Sequence, residues 1–197
     1  MIEPDYPLCT ERLDLRPFEP ADLDAVHAIF SSPDVVRYLY EEPRDEEGAR
    51  ILLARKRRRR ALVDSGDALS LAVVERATGA VAGDVTFMWR SEEHRQAEIG
   101  YVLDPAFHGR GYATEASAEL LRFGFEEVGV HRISGRLDGR NAASARVLER
   151  LGMRREAHLV QNEWVKGEWT DELVYAILAD EWRRTSDSVK TSAGPRG

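Results

Sequence analysis

A strand followed by a glycine-bearing loop and a helix, at residues 97–117, constrains this chain more than any other stretch. The run AEIGYVL predicts a strand, and the segment after Tyr112 is rich in Ala, Glu and Leu, as helices are. Between them lie Gly109 and Gly111. The first N–H groups of a helix lack an internal partner and its dipole favours negative charge there, while glycine admits a ligand close to the backbone. The stretch therefore predicts a site for a phosphorylated ligand, with a pyrophosphate favoured.

This loop differs from the two common nucleotide motifs. The chain contains no G-x-x-x-x-G-K-[ST], which excludes a P-loop, and the third glycine of G-x-G-x-x-G is absent after Gly111. The alternative is an ordinary strand-to-helix turn in which the two glycines serve only the backbone geometry.

A resemblance to a known family favours the ligand site. His108 to Ala113 resembles the acetyl-CoA pyrophosphate loop of the GNAT N-acetyltransferases, [RQ]-x-x-G-x-[GA], although His108 replaces the first Arg or Gln. Three further stretches resemble the ribosomal-protein N-terminal acetyltransferase (RimJ/RimL-type) branch: TERLDLRPF, NAASARVLERLGMRREA and GEWTDELVYAIL. The four occur in the family's order across most of residues 8–182. The resemblance implies an acyl-CoA N-acyltransferase fold, whose mixed central sheet of six or seven strands is splayed and flanked by about four helices.

The hydrophobic pattern independently predicts an α/β or α+β fold in one domain at 1–184, since strands alternate with helices and no linker or repeat interrupts them. The tail, 185–197, is rich in Ser, Thr, Gly and Pro and is predicted to be disordered. The predicted helices are 20–30, 45–63, 112–128 and 141–151, and the predicted strands are 10–16, 70–75, 81–89, 97–103, 133–137, 157–165 and 168–178.

Composition indicates a soluble globular protein, with 43% hydrophobic and 32% charged residues among 197. No apolar run approaches the ~18 residues of a membrane span and no signal peptide is evident, so we expect a cytoplasmic protein without a membrane partner. The single cysteine, Cys9, excludes an internal disulfide. The histidines lack metal-ligand spacing, so no metal is expected.

The net charge of −7 argues against general nucleic-acid binding. The basic run from Arg55 to Arg60 is the one segment that favours an acidic partner. Its simpler interpretation is a solvated helix end, where cations suit the dipole. The functional interpretation is an electropositive surface that attracts an acidic partner, the coenzyme phosphates, or RNA next to a protein substrate. On that interpretation the expected partner is a ribosome or a ribosomal protein.

The resemblance implies transfer of an acetyl group from acetyl-CoA, as acyl-donor cosubstrate, to a primary amine. Because an amine with a pKa of ~8 to ~10.4 is largely protonated at neutral pH, the reaction needs a general base. Glu163 resembles the glutamate of the RimL-type enzymes at this position, and Glu98 lies on the strand that many GNAT enzymes use. Either could equally be a solvent-facing strand carboxylate, and the sequence does not decide between them.

The resemblance also implies a general acid and coenzyme contacts. Ser144 is the candidate acid for the leaving thiolate, and Asn141 a candidate contact to the pantetheine arm, although both residues also suit the capped start of a helix. Backbone groups of Tyr101, Val102 and Leu103 are expected to pair with the arm like an added strand. The pyrophosphate is expected on the loop residues His108, Gly109, Arg110, Gly111, Tyr112 and Ala113.

The acceptor amine is left open between a protein N-terminus and a small molecule, as are the acyl preference and whether the chain forms a homodimer. Tyr38, Tyr40, Trp89 and the pair Glu41-Glu42 are candidates for the acceptor side. Two other classes remain: a non-catalytic acyl-CoA-binding module and a ribosome-associated protein.

Overall fold

The structure, a computed structural model, describes residues 1–184. The predicted disorder of 185–197 therefore concerns residues outside the described part. Within it, the strands are β1 (Leu8–Cys9), β2 (Leu13–Pro17), β3 (Ala68–Glu75), β4 (Val81–Ser91), β5 (Gln96–Leu103), β6 (Arg132–Asp138), β7 (Arg154–Val165) and β8 (Glu168–Leu178). The helices are α1 (Leu23–Phe30), α2 (Pro33–Val36), α3 (Glu46–Arg58), α4 (Tyr112–Arg122) and α5 (Ala142–Arg150).

The eight strands form one mixed sheet in the order β1-β2-β3-β4-β5-β6-β8-β7. Neighbours are antiparallel except β5 and β6, which run parallel and pair only over residues 96–98 and 132–134. Beyond these three pairs the two strands diverge, so the sheet is splayed at its middle. The fold class is confirmed, with eight strands in place of the six or seven expected. One of the eight, β1, is two residues long and too short for any alternation to reveal.

Helices cover both faces of this sheet and enclose two cores. One core lies under α4 and α5, where Phe87, Leu120 and Ile133 are fully buried. The other lies under α1 and α3 and contains Ile29 and Leu53. Because side chains alternate along a strand, each residue near the splay faces either the α4/α5 layer or the α1/α3 layer.

The helix predicted over 112–128 changes geometry within its length. The α-helical part ends at Arg122, and a π-helical turn spans Phe123–Val128. A Cβ at Gly124 in that turn would lie 2.7 Å from side-chain atoms of both Ile133 and Phe87. This glycine therefore allows the turn to pack closely on the sheet, which hydrophobic periodicity does not reveal.

The basic run does not form a uniform patch of free cations. The helix α3 ends at Arg58, earlier than predicted, and Lys56 turns inward to a buried ion pair with Asp84. Two of the arginines are also paired, Arg55 with Glu41 at 3.3 Å and Arg60 with Glu3 at 2.7 Å. In residues 1–184 no helix is long and apolar enough to cross a bilayer.

Candidate active site

The divergence of β5 from β6 leaves one edge of β5 without a strand partner. Odd-numbered residues of this segment direct their backbone towards β6, since Arg95 O accepts from His131 N at 2.7 Å and Ala97 O accepts from the Ser134 hydroxyl at 3.3 Å. By the same alternation the backbone groups of Tyr101 and Leu103 point into the space between the diverging strands β5 and β6, which we call the opening.

The alternation corrects one expected coenzyme contact. Asp104 N donates to Ala82 O on β4 at 2.9 Å, and Val102 lies in the same phase, opposite Asp84. The backbone of Val102 therefore faces β4, and we do not retain it as a partner for an extended ligand.

The glycine loop leads directly into α4 with its N–H groups free. Gly109 and Gly111 both have positive φ, 75° and 81°, and Gly111 occupies the N-cap position without a side-chain cap. In contrast, the N-cap Asn141 of α5 accepts from Ser144 N at 3.0 Å. Within residues 1–184 no acceptor takes the backbone N–H groups of residues 109–114. Six donors at a helix N-terminus are suited to an anion with several oxygens.

Side chains of the loop bond to the protein itself. The His108 ring lies 3.1 Å from Leu103 O, and the Arg110 guanidinium lies 3.3 Å from the Glu75 carboxylate. The Tyr112 side chain is buried, and its hydroxyl donates to Glu75. The backbone N–H groups of Arg110 and Tyr112 remain unbonded among the described residues, whereas the His108 N–H donates to Pro105 O at 3.1 Å, so His108 is not retained among the free donors of the loop.

The start of α5 lies across the opening from β5. The Tyr101 hydroxyl donates to the Ser144 carbonyl oxygen at 2.9 Å, which ties the two elements together. Burial raises the pKa of Tyr101 well above its usual range, and a hydrogen bond with the Ser144 side chain offsets this only in part. Tyr101 is therefore a neutral phenol at any physiological pH, and Ser144 borders the opening on the α4/α5 face.

Three glutamates gather around Arg136 on the opposite, α1/α3 face. Arg136 holds the Glu172 carboxylate through two bonds of 2.7 and 2.6 Å, and its raised pKa reflects that pair first and then the nearby charges of Glu98 and Glu163. The Asn162 amide also donates to Glu172, at 2.9 Å. Both predicted base candidates thus lie beside the opening.

The two candidates differ in how their charge is balanced. Glu98 forms an ion pair with Arg90 at 3.0 Å. Glu163 forms no ion pair within residues 1–184 and accepts a hydrogen bond from the Tyr40 hydroxyl. Burial, followed by that bond to Glu163, raises the pKa of Tyr40 above its usual range, so Tyr40 acts as a neutral donor.

A bulge in β7 brings Glu163 to this position. The pairing of β7 with β8 shifts between Leu159 and Glu163, so that β7 carries two extra residues there. Gln161 adopts a positive φ of 49° in the bulge, and its N–H donates to Asp171 at 2.9 Å. Nothing in the local sequence signals this shift.

Sequence reasoning missed part of the site and misplaced one residue. The sequence analysis did not identify Arg136, Glu172 and Asn162 as site residues. Arg136 lies opposite Val174 and reaches Glu172 diagonally across β6 and β8, so no local pattern marks the pair. Trp89 was expected on the acceptor side but is 8% exposed in the core under α4, because it alternates onto the other face. Among the described residues no group of three His, Cys, Asp or Glu side chains could hold a metal ion.

Comparison with known proteins agrees with this geometry. Residues 12–154 match the family model of the acetyltransferase (GNAT) domain. The N-acetyltransferase YnaD of Bacillus subtilis is 34% identical over 175 residues, which cover 89% of this chain and 98% of that protein. Spermidine N(1)-acetyltransferase of Escherichia coli is 25% identical over 176 residues, covering 85% of this chain and 87% of that protein.

A solved structure extends the agreement to three dimensions. The GNAT-family acetyltransferase from Bacillus anthracis superposes with a TM-score of 0.79 at 34% identity, covering 87% of this chain and 98% of that one. The family match spans well over half of the chain and includes the glycine loop and the splayed strands. This chain therefore belongs to the GNAT family and is an acetyltransferase enzyme.

Proposed function

We propose that the chain transfers an acetyl group from acetyl-CoA to a primary amine by direct attack in a ternary complex. The donor's diphosphate would take the free N–H groups of residues 109–113. Its amide-bearing arm would pair with the open edge of β5 at Tyr101 and at the Leu103 N–H, since Leu103 O lies 3.1 Å from the His108 ring. Two features support this placement. The loop offers donors without competing acceptors, and the opening lies between the loop and Ser144.

In this reaction the amine nitrogen attacks the thioester carbonyl carbon and the C–S bond breaks. The proton lost by the amine goes to the Glu163 carboxylate, and the leaving thiolate takes a proton from the Ser144 hydroxyl, which regains one from water. The observation that carries the assignment of the base is direct pairing: Glu98 forms an ion pair with Arg90, whereas Glu163 forms no ion pair among the described residues and accepts from the Tyr40 hydroxyl. A carboxylate that is not held in a direct ion pair can turn its oxygens towards the amine.

We propose a small cationic amine as the acceptor. The acceptor would approach from the α1/α3 face, where Glu98, Glu163 and Glu172 outnumber the cations Arg90 and Arg136. A net negative mouth favours a positively charged substrate. The likeness to a spermidine acetyltransferase supports the same class. A protein N-terminus, as in the RimJ/RimL-type branch, is the competing acceptor.

An acetyl-CoA consumption screen tests the acceptor. We expect turnover with polyamines such as spermidine and much lower kcat/KM with N-terminal peptides of ribosomal proteins. Preference for the peptides would refute the cationic small-molecule assignment, and no turnover on any amine would favour a non-catalytic acyl-CoA-binding module.

Matched variants test the residues. Glu163→Gln should lower kcat by roughly 10²–10⁴-fold, the usual contribution of a general base, and Ser144→Ala should lower kcat with little change in the KM for the amine. Glu98→Gln is the control, because it alters the neighbouring carboxylate on the same face and should cost much less. A larger loss in Glu98→Gln than in Glu163→Gln would reverse the assignment.

A further inference from the structure

The N-terminal motif TERLDLRPF has no part in the chemistry proposed above, yet its arginine reaches the glycine loop. Arg12 Nη1 donates to the Arg110 carbonyl oxygen at 3.0 Å, immediately before Gly111. Its Nη2 would lie 3.5 Å from a Cβ placed on Gly111. The guanidinium also lies over the Tyr112 ring, 4.8 Å from its centre. One side chain thus contacts Arg110 and Tyr112 and lies beside Gly111 between them.

The same arginine binds the acidic residue of the first turn of α4. Arg12 Nε and Nη2 lie 2.7 and 2.6 Å from Glu115 Oε2, while Oε1 accepts from the Arg12 backbone N–H and the Thr10 hydroxyl. The side chain of Glu115 is only 16% exposed. A first-turn carboxylate suits the helix dipole, but it also repels an anion bound at the same N-terminus.

From these contacts we propose that Arg12 is the positioning residue of the diphosphate loop. This inference rests on the proposed placement of the donor's diphosphate on residues 109–113. Arg12 acts on the loop in two ways. First, a trans peptide holds its C=O and the following N–H on opposite sides, so fixing the Arg110 carbonyl directs the Gly111 N–H away from Arg12. Second, the guanidinium neutralises Glu115, which removes a repulsive charge from the anion site.

Donor analogues separate positioning from a merely structural role. Acetyl-CoA and acetyl-dephospho-CoA carry the diphosphate, whereas S-acetylpantetheine lacks it. In Arg12→Gln we expect kcat/KM to fall about tenfold to hundredfold for the two diphosphate donors, as for the loss of hydrogen bonds between charged groups, and to stay within about twofold for S-acetylpantetheine. The ratio of the kcat/KM values for two donors, measured on one variant, does not depend on the fraction of that variant that folds.

Two further variants sharpen the test. The double variant Arg12→Gln/Glu115→Gln removes the carboxylate that Arg12→Gln leaves unpaired. It should therefore regain part of the kcat/KM for acetyl-CoA that Arg12→Gln loses. The matched control is Arg76→Gln: Arg76 is similarly exposed, 49% against 46% for Arg12, and bonds to the same N-terminal turn through Thr10 O, but it does not touch the loop. It should leave the donor ratio unchanged.

The outcomes are distinguishable. An equal loss for all three donors in Arg12→Gln, or an unchanged donor ratio, would overturn the positioning role while leaving the proposed function intact. If the wild-type enzyme had the same kcat/KM for S-acetylpantetheine as for acetyl-CoA, the proposed diphosphate site would be refuted, together with both proposals that depend on it.

Discussion

The buried ion pair of Lys56 and Asp84 allows a quantitative prediction. The two residues are 9% and 3% exposed, and they join α3 to β4. The Ser70 hydroxyl lies 3.4 Å from Asp84 Oδ2, and the rings of Phe18 and Phe30 lie 5.5 and 5.0 Å from the ammonium. Removing either partner leaves an uncompensated buried charge, which lowers the free energy of unfolding by about 3–5 kcal/mol.

We therefore expect Lys56→Met and Asp84→Ala each to lower Tm by about 6–20 °C, since 1 kcal/mol shifts Tm by about 2–4 °C in a domain of this size. The double variant should be more stable than either single variant, because no unpaired charge remains. Urea and thermal unfolding followed by circular dichroism measure both quantities.

The control is Arg50→Gln, which breaks an exposed i,i+4 pair with Glu46 on the same helix and should cost only about 0.3–0.5 kcal/mol. Single variants that lose less than about 1 kcal/mol, or a double variant whose loss equals their sum, would refute the reasoning.

Three further predictions follow from single sites. In Gly83→Ala the new Cβ would meet Val102 O at 2.2 Å and Leu103 Cα at 2.9 Å, so β5 must shift; we expect about 1–3 kcal/mol of destabilisation and a higher KM for acetyl-CoA, measured by unfolding and steady-state kinetics. Burial pushes the pKa of Glu115 up, but hydrogen bonds from its partners outweigh burial and hold it below its usual value. The contribution of Glu115 to stability is thus complete above about pH 4.3 and is lost as pH falls through the depressed pKa, so the gap in urea midpoint between wild type and Glu115→Gln should close below about pH 4. Asn141→Ala should cost about 1 kcal/mol as a lost helix cap, and an unchanged Tm would contradict that role.

The loop and its helix were predictable because their signals are local. Gly109 and Gly111 adopt a positive φ, which glycine tolerates without strain, and Asn141 caps α5 through the N–H of Ser144. Each of these features depends on residues within four positions along the chain. The strand-to-helix order and the family resemblance likewise need no knowledge of distant contacts.

The positions and partners of the charged side chains at the site were not predictable from local signals. Period-two alternation alone left open which face Glu98 and Glu163 occupy. The burial of the residues beside Glu98 in the core under α4, and a one-residue shift of register near the start of β7, decided it. The same limitation put Trp89 on the wrong face, and the inward turn of Lys56 depends on its pairing with Asp84, 28 positions away.

The sequence by itself determined the glycine loop that begins α4 and the family to which the chain belongs. Only the tertiary structure decided which carboxylate of the site forms an ion pair and which arginine bonds to the loop. The partners concerned are far apart along the chain, 123 positions for Tyr40 and Glu163 and 103 for Arg12 and Glu115. Local preferences fix φ and ψ over a few residues, whereas the neutralisation of a charge depends on whichever group the completed sheet brings beside it.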